Sequence, residues 1–207
     1  MDDLGAGIRA ARLKKGLSLR RVAAAAEISP SLLSQVETGK TQPSVGTLYA
    51  LVNILEVSID DLLGVSHHGP IAIEPGVGGT VAARGSGIQR REDNPTIVME
   101  NGVTWERLAI DKAGAIEPLL TTYEPGGSSS VEGKLMRHSG IEYGLVMEGE
   151  LTLKLDFNTY VLRPGDSVCF DSLRPHLYEN HTDARVRGLW FVLGRTDNDD
   201  GLGHEAD

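Results

Sequence analysis

The sequence predicts two domains, an all-α domain of five short helices followed by an all-β domain. From residue 4 to residue 64 the apolar residues recur at helical spacing, with a turn signal about every ten residues. After residue 94 apolar and polar residues alternate in short segments separated by turns, namely TIVME, WERLAI, EYGLVM, ELTLKL, TYVL, SVCF and RGLWFVL. Strands spaced in this way predict a sandwich or a small barrel, and 207 residues are enough for each domain to bury its own core.

Capping residues predict where the helices begin and end. The first helix covers roughly Leu4 to Lys15 and stops at Gly16. Serine side chains can accept hydrogen bonds from the free N–H groups of a first helical turn. We therefore expect each of the four later helices to begin directly after an N-cap serine, and these serines are Ser18, Ser29, Ser44 and Ser58.

Composition divides the chain into four parts. Residues 4–64 form the predicted helical domain, and residues 65–94, which are rich in glycine, read as a linker with a loosely placed first strand. The predicted β-domain covers 95–195. Residues 196–207 are polar and acidic, which is typical of a disordered tail.

The charge distribution is uneven. The chain as a whole carries a net charge of −9, which argues against nucleic-acid binding. Residues 9–40 nevertheless hold seven basic and only two acidic side chains. The two predicted domains therefore differ in the partners that their charge favours, and the helical one suits a polyanion.

Cys169 is the only cysteine, so no disulfide can form within the chain, and we expect a reducing, cytoplasmic environment. Its place inside an alternating segment suggests a buried small side chain. We expect the aromatic residues Tyr143, Phe170, Tyr178 and Trp190 to be mostly core, with one or two lining a pocket. No apolar run is long enough to cross a bilayer, so no membrane partner is expected.

Residues 16–44, GLSLRRVAAAAEISPSLLSQVETGKTQPS, resemble the lambda-repressor-like, XRE-type helix-turn-helix family, with the helix-turn-helix at 19–38. The match includes the Gly-Leu-Ser start of helix two, the Ser-Pro-Ser start of helix three, and the Ser-Gln, Glu-x-Gly and Pro-Ser elements that follow. Glu27 departs from the pattern, because the family often has a turn glycine there. The resemblance implies DNA binding and an ion pair between Arg12 and Glu37 that joins helices one and three.

In this motif the N-terminal part of the second helix enters the major groove. We expect Ser29, Pro30, Ser31, Ser34 and Gln35 to reach base edges there. Gln35 is the first choice, since its amide can pair with adenine through two hydrogen bonds.

Flanking basic side chains should neutralise phosphates, and the candidates are Arg20, Arg21 and Lys40. The alternative is that this basic face is simply a solvated surface.

Residues 136–151, MRHSGIEYGLVMEGEL, and 163–180, RPGDSVCFDSLRPHLYEN, resemble the two motifs of the cupin family. The resemblance implies a double-sheet jelly-roll barrel. His138, Glu142 and His176 occupy positions at which the family holds a metal, and Met136 stands where the family usually has its first histidine.

The spacing of Met136, His138 and Glu142 is even, so all three face one side if the strand is regular. With His176 they would complete a set of two histidines and one carboxylate that suits one divalent metal such as zinc or iron. The alternative is that these residues form a hydrogen-bonded polar cluster lining an effector pocket. The residues themselves do not decide between the two.

The whole layout resembles XRE-type cupin regulators. The resemblance implies a transcriptional regulator, not an enzyme, that forms a homodimer through the cupin domain. It would bind a palindromic double-stranded DNA operator and respond to a small-molecule effector. The alternative is a mononuclear non-haem iron oxygenase or epoxidase with the same two-domain layout, because hydroxypropylphosphonate epoxidase uses a similar His-x-x-x-Glu plus His set.

Overall fold

The computed structural model describes residues 3–62, 88–109 and 116–193, which form a helical domain followed by an all-β domain. The predicted linker and tail lie largely outside these residues, and their boundaries stay predictions. Residues 88–94 are described and contain one 3-10 turn, Arg91–Asp93. No helix in the described ranges is long and apolar enough to cross a membrane.

The predicted serine caps are all confirmed. The hydroxyl oxygens of Ser18, Ser29 and Ser44 each accept a hydrogen bond from the backbone N–H three residues later. Ser58 accepts one from the backbone of Asp61 in the same way. The helices that these caps define are α1 (Asp3–Lys14), α2 (Leu19–Ala25), α3 (Pro30–Glu37), α4 (Val45–Leu55) and the short α5 (Ile59–Leu62).

The prediction of five helices is confirmed only in part. Four helices in the described part of the chain have seven residues or more, whereas α5 is a single turn of four. The helical core lies where α1, α3 and α4 meet, around Ile8, Leu33 and Leu48, which are fully buried. Burial against neighbouring helices, more than helix propensity, stabilises elements this short.

The predicted ion pair between Arg12 and Glu37 is confirmed. Nε and Nη2 of the guanidinium both donate to the carboxylate, with Nη2 at 2.8 Å from Oε2, while Nη1 donates to the carbonyl of Leu17 at 3.0 Å. The pair fastens α1 to the end of α3. Glu27, the departure from the helix-turn-helix pattern, has a φ of 54°, so the turn takes the left-handed conformation that favours glycine.

The described β-domain contains nine strands, all paired antiparallel. Their bounds are β1 (Thr96–Val98), β2 (Val103–Arg107), β3 (Ile116–Tyr123), β4 (Ile141–Glu148), β5 (Leu151–Leu155), β6 (Asn158–Leu162), β7 (Ser167–Asp171), β8 (His176–Glu179) and β9 (Val186–Leu193). One sheet has the order β1-β2-β3-β9-β4-β7 and the other β6-β5-β8. Strand β3, which contains Pro118 and two threonines, has no counterpart among the predicted segments.

The two sheets face each other but do not close into the barrel that the sequence predicts. No ladder joins them within the described residues, where isolated bridges link Met136 to His176 and Ser128 to Glu179. The connection between β3 and β4 runs through turns and bends, so its backbone does not form a continuous strand that could close the gap. The core between the sheets contains Leu151, Tyr178 and Trp190.

The helical domain contacts the β-domain through the start of α4. The backbone N–H of Gly46 donates to the carbonyl of Ser129 at 3.1 Å, and that of Glu100 donates to the carbonyl of Pro43 at 3.1 Å. Gly46 also lies beside Met136, since a Cβ built at Gly46 would be 3.6 Å from the Cβ of that residue. This contact brings α4 to the open mouth between the sheets.

Candidate functional site

Helix α3 presents a short polar surface. Leu33 and Val36 pack inside the helical domain, which leaves Ser31, Ser34 and Gln35 exposed along the opposite face. Ser29 and Pro30 are exposed at the N-terminal end of the helix. The hydroxyl of Ser29 caps the helix by accepting from the backbone of Leu32 at 3.0 Å, so it has a structural task as well.

The basic candidates lie around this helix and are all exposed. Arg20 and Arg21 are in the first turn of α2, and Lys40 follows α3 directly, where its N–H donates to the carbonyl of Gln35 at 2.9 Å. Gly39, with a φ of 68°, makes that tight helix end possible. These exposed side chains are free of steric cover, and their contact with phosphates stays a prediction.

The β-domain brings His138, Glu142 and His176 together. One ligand atom from each lies within 4.8 Å of the others, and the three residues are 2%, 4% and 0% exposed. The Nε2 atoms of His138 and His176 are 3.3 and 3.4 Å from Oε2 of Glu142. Neither nitrogen has a hydrogen-bond partner, so these contacts are close without being aligned as hydrogen bonds.

The other nitrogen of each imidazole fixes which one carries the proton. Nδ1 of His138 is 3.2 Å from the carbonyl oxygen of Ser139, and Nδ1 of His176 is 2.8 Å from that of Arg174. A carbonyl oxygen can only accept, so both Nδ1 atoms are donors, and in the neutral imidazole each Nε2 atom then presents a lone pair. The cluster therefore turns three acceptor atoms toward one another.

The ionisation of the cluster follows from its surroundings. Burial raises the pKa of Glu142, but attraction to the neighbouring histidines in their protonated form and the Tyr178 hydroxyl, which donates to Oε1 at 2.7 Å, together lower it below its usual value. Burial lowers the pKa of His176 below its usual value, although the Glu142 carboxylate acts in the opposite direction. The arrangement is thus a carboxylate beside a neutral imidazole.

The even spacing predicts that Met136, His138 and Glu142 lie on one regular strand, and this prediction is wrong. Met136 makes an isolated bridge with His176, residues 139 and 140 form a bend with Gly140 at a φ of 107°, and β4 begins only at Ile141. The side chains still converge because the Met136–His176 bridge holds the segment to β8 and the bond from the His138 N–H to the Ser172 carbonyl holds it to the end of β7.

A small cavity of about 20 Å³ adjoins the cluster. Its walls include Met136 and Glu142 and, as expected for one or two of the aromatic residues, Tyr178 and Trp190. The expectation for Tyr143 was wrong, because that side chain is 48% exposed. Cys169 is likewise exposed, not buried, since both residues point outward from the six-stranded sheet.

Sequence reasoning missed seven of the eleven residues that line the cavity, two of which come from the helical domain. Tyr49 and Val45 come from α4, in the other domain, and Trp105 comes from β2. The ring of Tyr49 stacks on His138 with centroids 4.0 Å apart and planes 14° from parallel. The sequence pattern around Val45, Tyr49 and Trp105 does not indicate that they line a cavity, because any core residue of a helix or strand would show the same pattern.

Comparison with known proteins matches residues 8–62 to the family model for a helix-turn-helix and residues 119–192 to that for a cupin domain. The HTH-type transcriptional regulator PuuR of Escherichia coli is 26% identical over 170 residues, which cover 82% of this chain and 83% of PuuR. The chain therefore combines an N-terminal helix-turn-helix domain with a C-terminal cupin domain, the architecture of a DNA-binding transcriptional regulator. It is a DNA-binding protein.

Two further similarities extend over nearly the whole regulator. The HTH-type transcriptional regulator SutR of Escherichia coli is 24% identical over 183 residues, covering 88% of this chain and 90% of SutR. A crystal structure of an HTH_3 family transcriptional regulator from Vibrio cholerae covers 94% of this chain and 97% of its own, with a TM-score of 0.63 and 19% identity. The regulator therefore shares its two-domain fold with a solved structure.

Proposed function

We propose that the regulator holds one divalent cation at His138, Glu142 and His176, that the cation forms the base of an effector pocket, and that pocket occupancy controls binding to a palindromic operator. The observation that carries the proposal is the buried group of three acceptors with no donor among them. Buried polar atoms without partners are costly, and the Nε2 atoms of His138 and His176 are two such atoms. A cation would bind both of them together with the Glu142 carboxylate.

The donor set fits a divalent cation. Two imidazole nitrogens and one carboxylate oxygen suit zinc or iron and leave coordination positions open. The carbonyls that hold both Nδ1 atoms and the hydroxyl that holds Oε1 are the kind of outer partners that orient metal ligands. Bound there, the cation would act as a Lewis acid that attracts a further ligand.

The cation also suggests the class of effector. A divalent charge beside one carboxylate leaves a net positive charge in a cavity whose other walls are aromatic or aliphatic. This environment favours a small organic anion, such as a carboxylate or phosphonate, with an apolar body. The buried Nε1 of Trp105 has no hydrogen-bond partner and supplies a donor for such an acceptor.

Dimerisation through the β-domain is supported by the outer face of β4. Its outward side chains, Ile141, Tyr143, Leu145 and Met147, are apolar yet between 38% and 56% exposed. The neighbouring β9 continues the apolar surface, because Phe191 lies opposite Tyr143 and Leu189 opposite Leu145. A contiguous apolar surface of this kind marks an interface. Helix α3 is the proposed reading helix, and a second copy of the chain supplies the second reading helix that a palindrome needs.

The interface can be tested by sedimentation of the full chain. Tyr143→Lys should shift the dimer toward monomer, because it places a charge inside the buried contact. Phe157→Lys is the matched control, since Phe157 is fully exposed in the turn between β5 and β6. Equal sedimentation of both variants as dimers would place the interface elsewhere.

Operator reading can be tested by selecting bound sequences from a randomised DNA library. We expect a palindrome, and we expect Gln35→Ala to weaken binding by about 1–3 kcal/mol and to relax preference at one base pair in each half-site. Lys40→Ala, the control, should weaken all sequences alike and reduce the salt dependence by about one unit per half-site. Unchanged selectivity of Gln35→Ala would remove Gln35 from the base contacts.

A second candidate function, a mononuclear non-haem iron oxygenase or epoxidase, is favoured by the same cluster, because two histidines and one carboxylate are the ligand set of such enzymes. We propose a regulator without catalytic activity because the polar residues of α3 remain exposed for DNA. Iron(II)-loaded protein that consumed dioxygen with an organic acid, while failing to select any DNA sequence, would support the enzyme instead.

A further inference from the structure

One wall of the cavity belongs to the DNA-binding domain. Val45 and Tyr49 project from α4 into the space between the two sheets, where the ring of Tyr49 covers one face of His138. The same ring lies 5.4 Å from the ring of Trp105, at 58°. Tyr49 is 3% exposed, and its side chain fills the opening between the two sheets.

With α4 in this position the cavity is too small for an organic molecule. About 20 Å³ is room for one water molecule or a single ion, whereas ligand pockets usually measure about 300 Å³ or more. Any effector with several non-hydrogen atoms therefore needs a wall to move.

The walls differ in how firmly they are held. Trp105, Glu142 and Trp190 lie on strands paired on both sides by neighbouring strands of the sheet. Helix α4 is attached to the β-domain at its first turn, through the Gly46–Ser129 and Pro43–Glu100 backbone bonds and the contacts of Tyr49. Moving α4 breaks few hydrogen bonds, whereas moving a strand breaks a ladder.

We propose that α4 is a displaceable wall of the effector pocket, so that an organic effector enters by taking the place of Tyr49 and releases the helical domain from the β-domain. The inference rests on the proposed function, since it concerns how the same pocket is regulated. A bare cation would not require release, because it fits beneath the stacked ring.

Release of α4 would change the position of the reading helix α3, because the two helices are joined by a short segment. The segment 38–44 joins α3 to α4, carries Lys40, and is held to the β-domain by the carbonyl of Pro43. In a dimer formed by the β-domains, the docked α4 sets the distance between the two reading helices, and palindromic half-sites demand one particular distance. Effector and operator are then linked, because each has a different affinity for the docked and released forms.

A reversible cross-link tests this coupling without knowledge of the effector. The 3.6 Å between a Cβ at Gly46 and the Cβ of Met136 falls within the range of about 3.5–4.5 Å for disulfides. Gly46→Cys with Met136→Cys, in a Cys169→Ser background that removes the native thiol, should therefore oxidise within one chain. Affinity for the operator selected by the parent is measured for the oxidised and reduced forms of this variant, with a chelator present.

We expect the disulfide to form and the two forms to differ in operator affinity by at least about fivefold, the usual lower bound for coupled sites. The direction reveals whether the docked form binds DNA better or worse. The Gly46→Cys and Met136→Cys single variants, in the same background, should show no effect of oxidation.

Two results would overturn the proposal: thiols that do not cross-link under oxidising conditions in the folded protein, or equal affinities of the oxidised and reduced forms. Tyr49→Ala provides an independent check, with Tyr49→Phe as its control, because only the alanine variant loses the ring that fills the mouth. Tyr49→Ala should differ from Tyr49→Phe in operator affinity in the same direction as reduction of the disulfide, and equal affinities of the two would also count against the proposal. Failure of the parent to select any operator would instead refute the proposed function.

Discussion

Each domain buries one charged cluster, and the two clusters are built in opposite ways. In the helical domain the guanidinium of Arg12 faces the carboxylate of Glu37, so two donors meet two acceptors. In the β-domain the carboxylate of Glu142 faces the lone pairs of two imidazole nitrogens. Burial is similar in both, so the difference lies in whether the polar atoms satisfy one another.

That difference separates a structural role from a binding role. A buried ion pair with complete hydrogen bonds holds elements together and needs nothing further, although removal of one partner leaves an expensive charge. A buried set of acceptors is incomplete by itself and gains from an added cation. Three substitutions, one of them combined with an added metal ion, distinguish the two clusters, and they are given from the largest expected change to the smallest.

The largest effect is expected for Glu37→Gln. The amide cannot neutralise Arg12, so the free energy of unfolding of the helical domain should fall by about 3–5 kcal/mol. Urea unfolding followed by circular dichroism measures it. Glu132→Gln is the control, because Glu132 forms an exposed pair with Lys134 and should change stability by no more than about 1 kcal/mol. Similar small losses in both variants would show that the Arg12 pair does not hold the domain together.

The same isosteric change at Glu142 should act differently. Without metal, Glu142→Gln should leave stability unchanged or raise it, because the amide N–H supplies the donor that the imidazoles lack. Zinc or cobalt(II) at about 100 times its Kd should stabilise the parent by about 2.7 kcal/mol and the variant by much less. Thermal unfolding with and without the ion measures both, and equal stabilisation of parent and variant would place the ion at another site.

A smaller effect is expected for Tyr178→Phe. The hydroxyl donates to Oε1 of Glu142 and accepts from Nε1 of Trp190 at 3.3 Å, so its loss should weaken metal binding about 10- to 100-fold through poorer orientation of the carboxylate. Titration with cobalt(II) measures this affinity. Tyr160→Phe, which removes a hydroxyl from a partly exposed side chain on β6, should have no effect. Matching affinities in the two variants would mean that the hydroxyl does not orient the carboxylate.

The sequence predicted the features that depend on local chemistry or on a long motif. Serine caps and glycine ends located the helices because each acts within a few residues of itself. The cupin resemblance identified His138, Glu142 and His176 as one cluster, although the strand argument for their convergence was wrong. The DNA-contact residues are exposed as expected, and their contacts with DNA stay a prediction.

Features that depend on distant pairing could not be predicted. Period-two alternation says that a strand has two different faces, but on β4 the outward face is also apolar, which is why Tyr143 was assigned to the core. Cys169, on the adjacent β7, faces outward beside Tyr143 and was likewise assigned to the core. The open edge between the sheets depends on the backbone of residues 124–140, where turns replace pairing. The place of Tyr49 depends on how two domains meet, and its own helix gives no sign of that.

The two tryptophans that line the cavity have a practical consequence. The chain contains two tryptophans in all, so its tryptophan emission comes entirely from Trp105 and Trp190, on strands β2 and β9 of the six-stranded sheet, and both line the cavity. The first lies beside the Tyr49 ring and the second donates to Tyr178. The unlabelled protein is therefore its own optical reporter, and a compound library can be screened against it by selective excitation of tryptophan, whose emission arises from these walls.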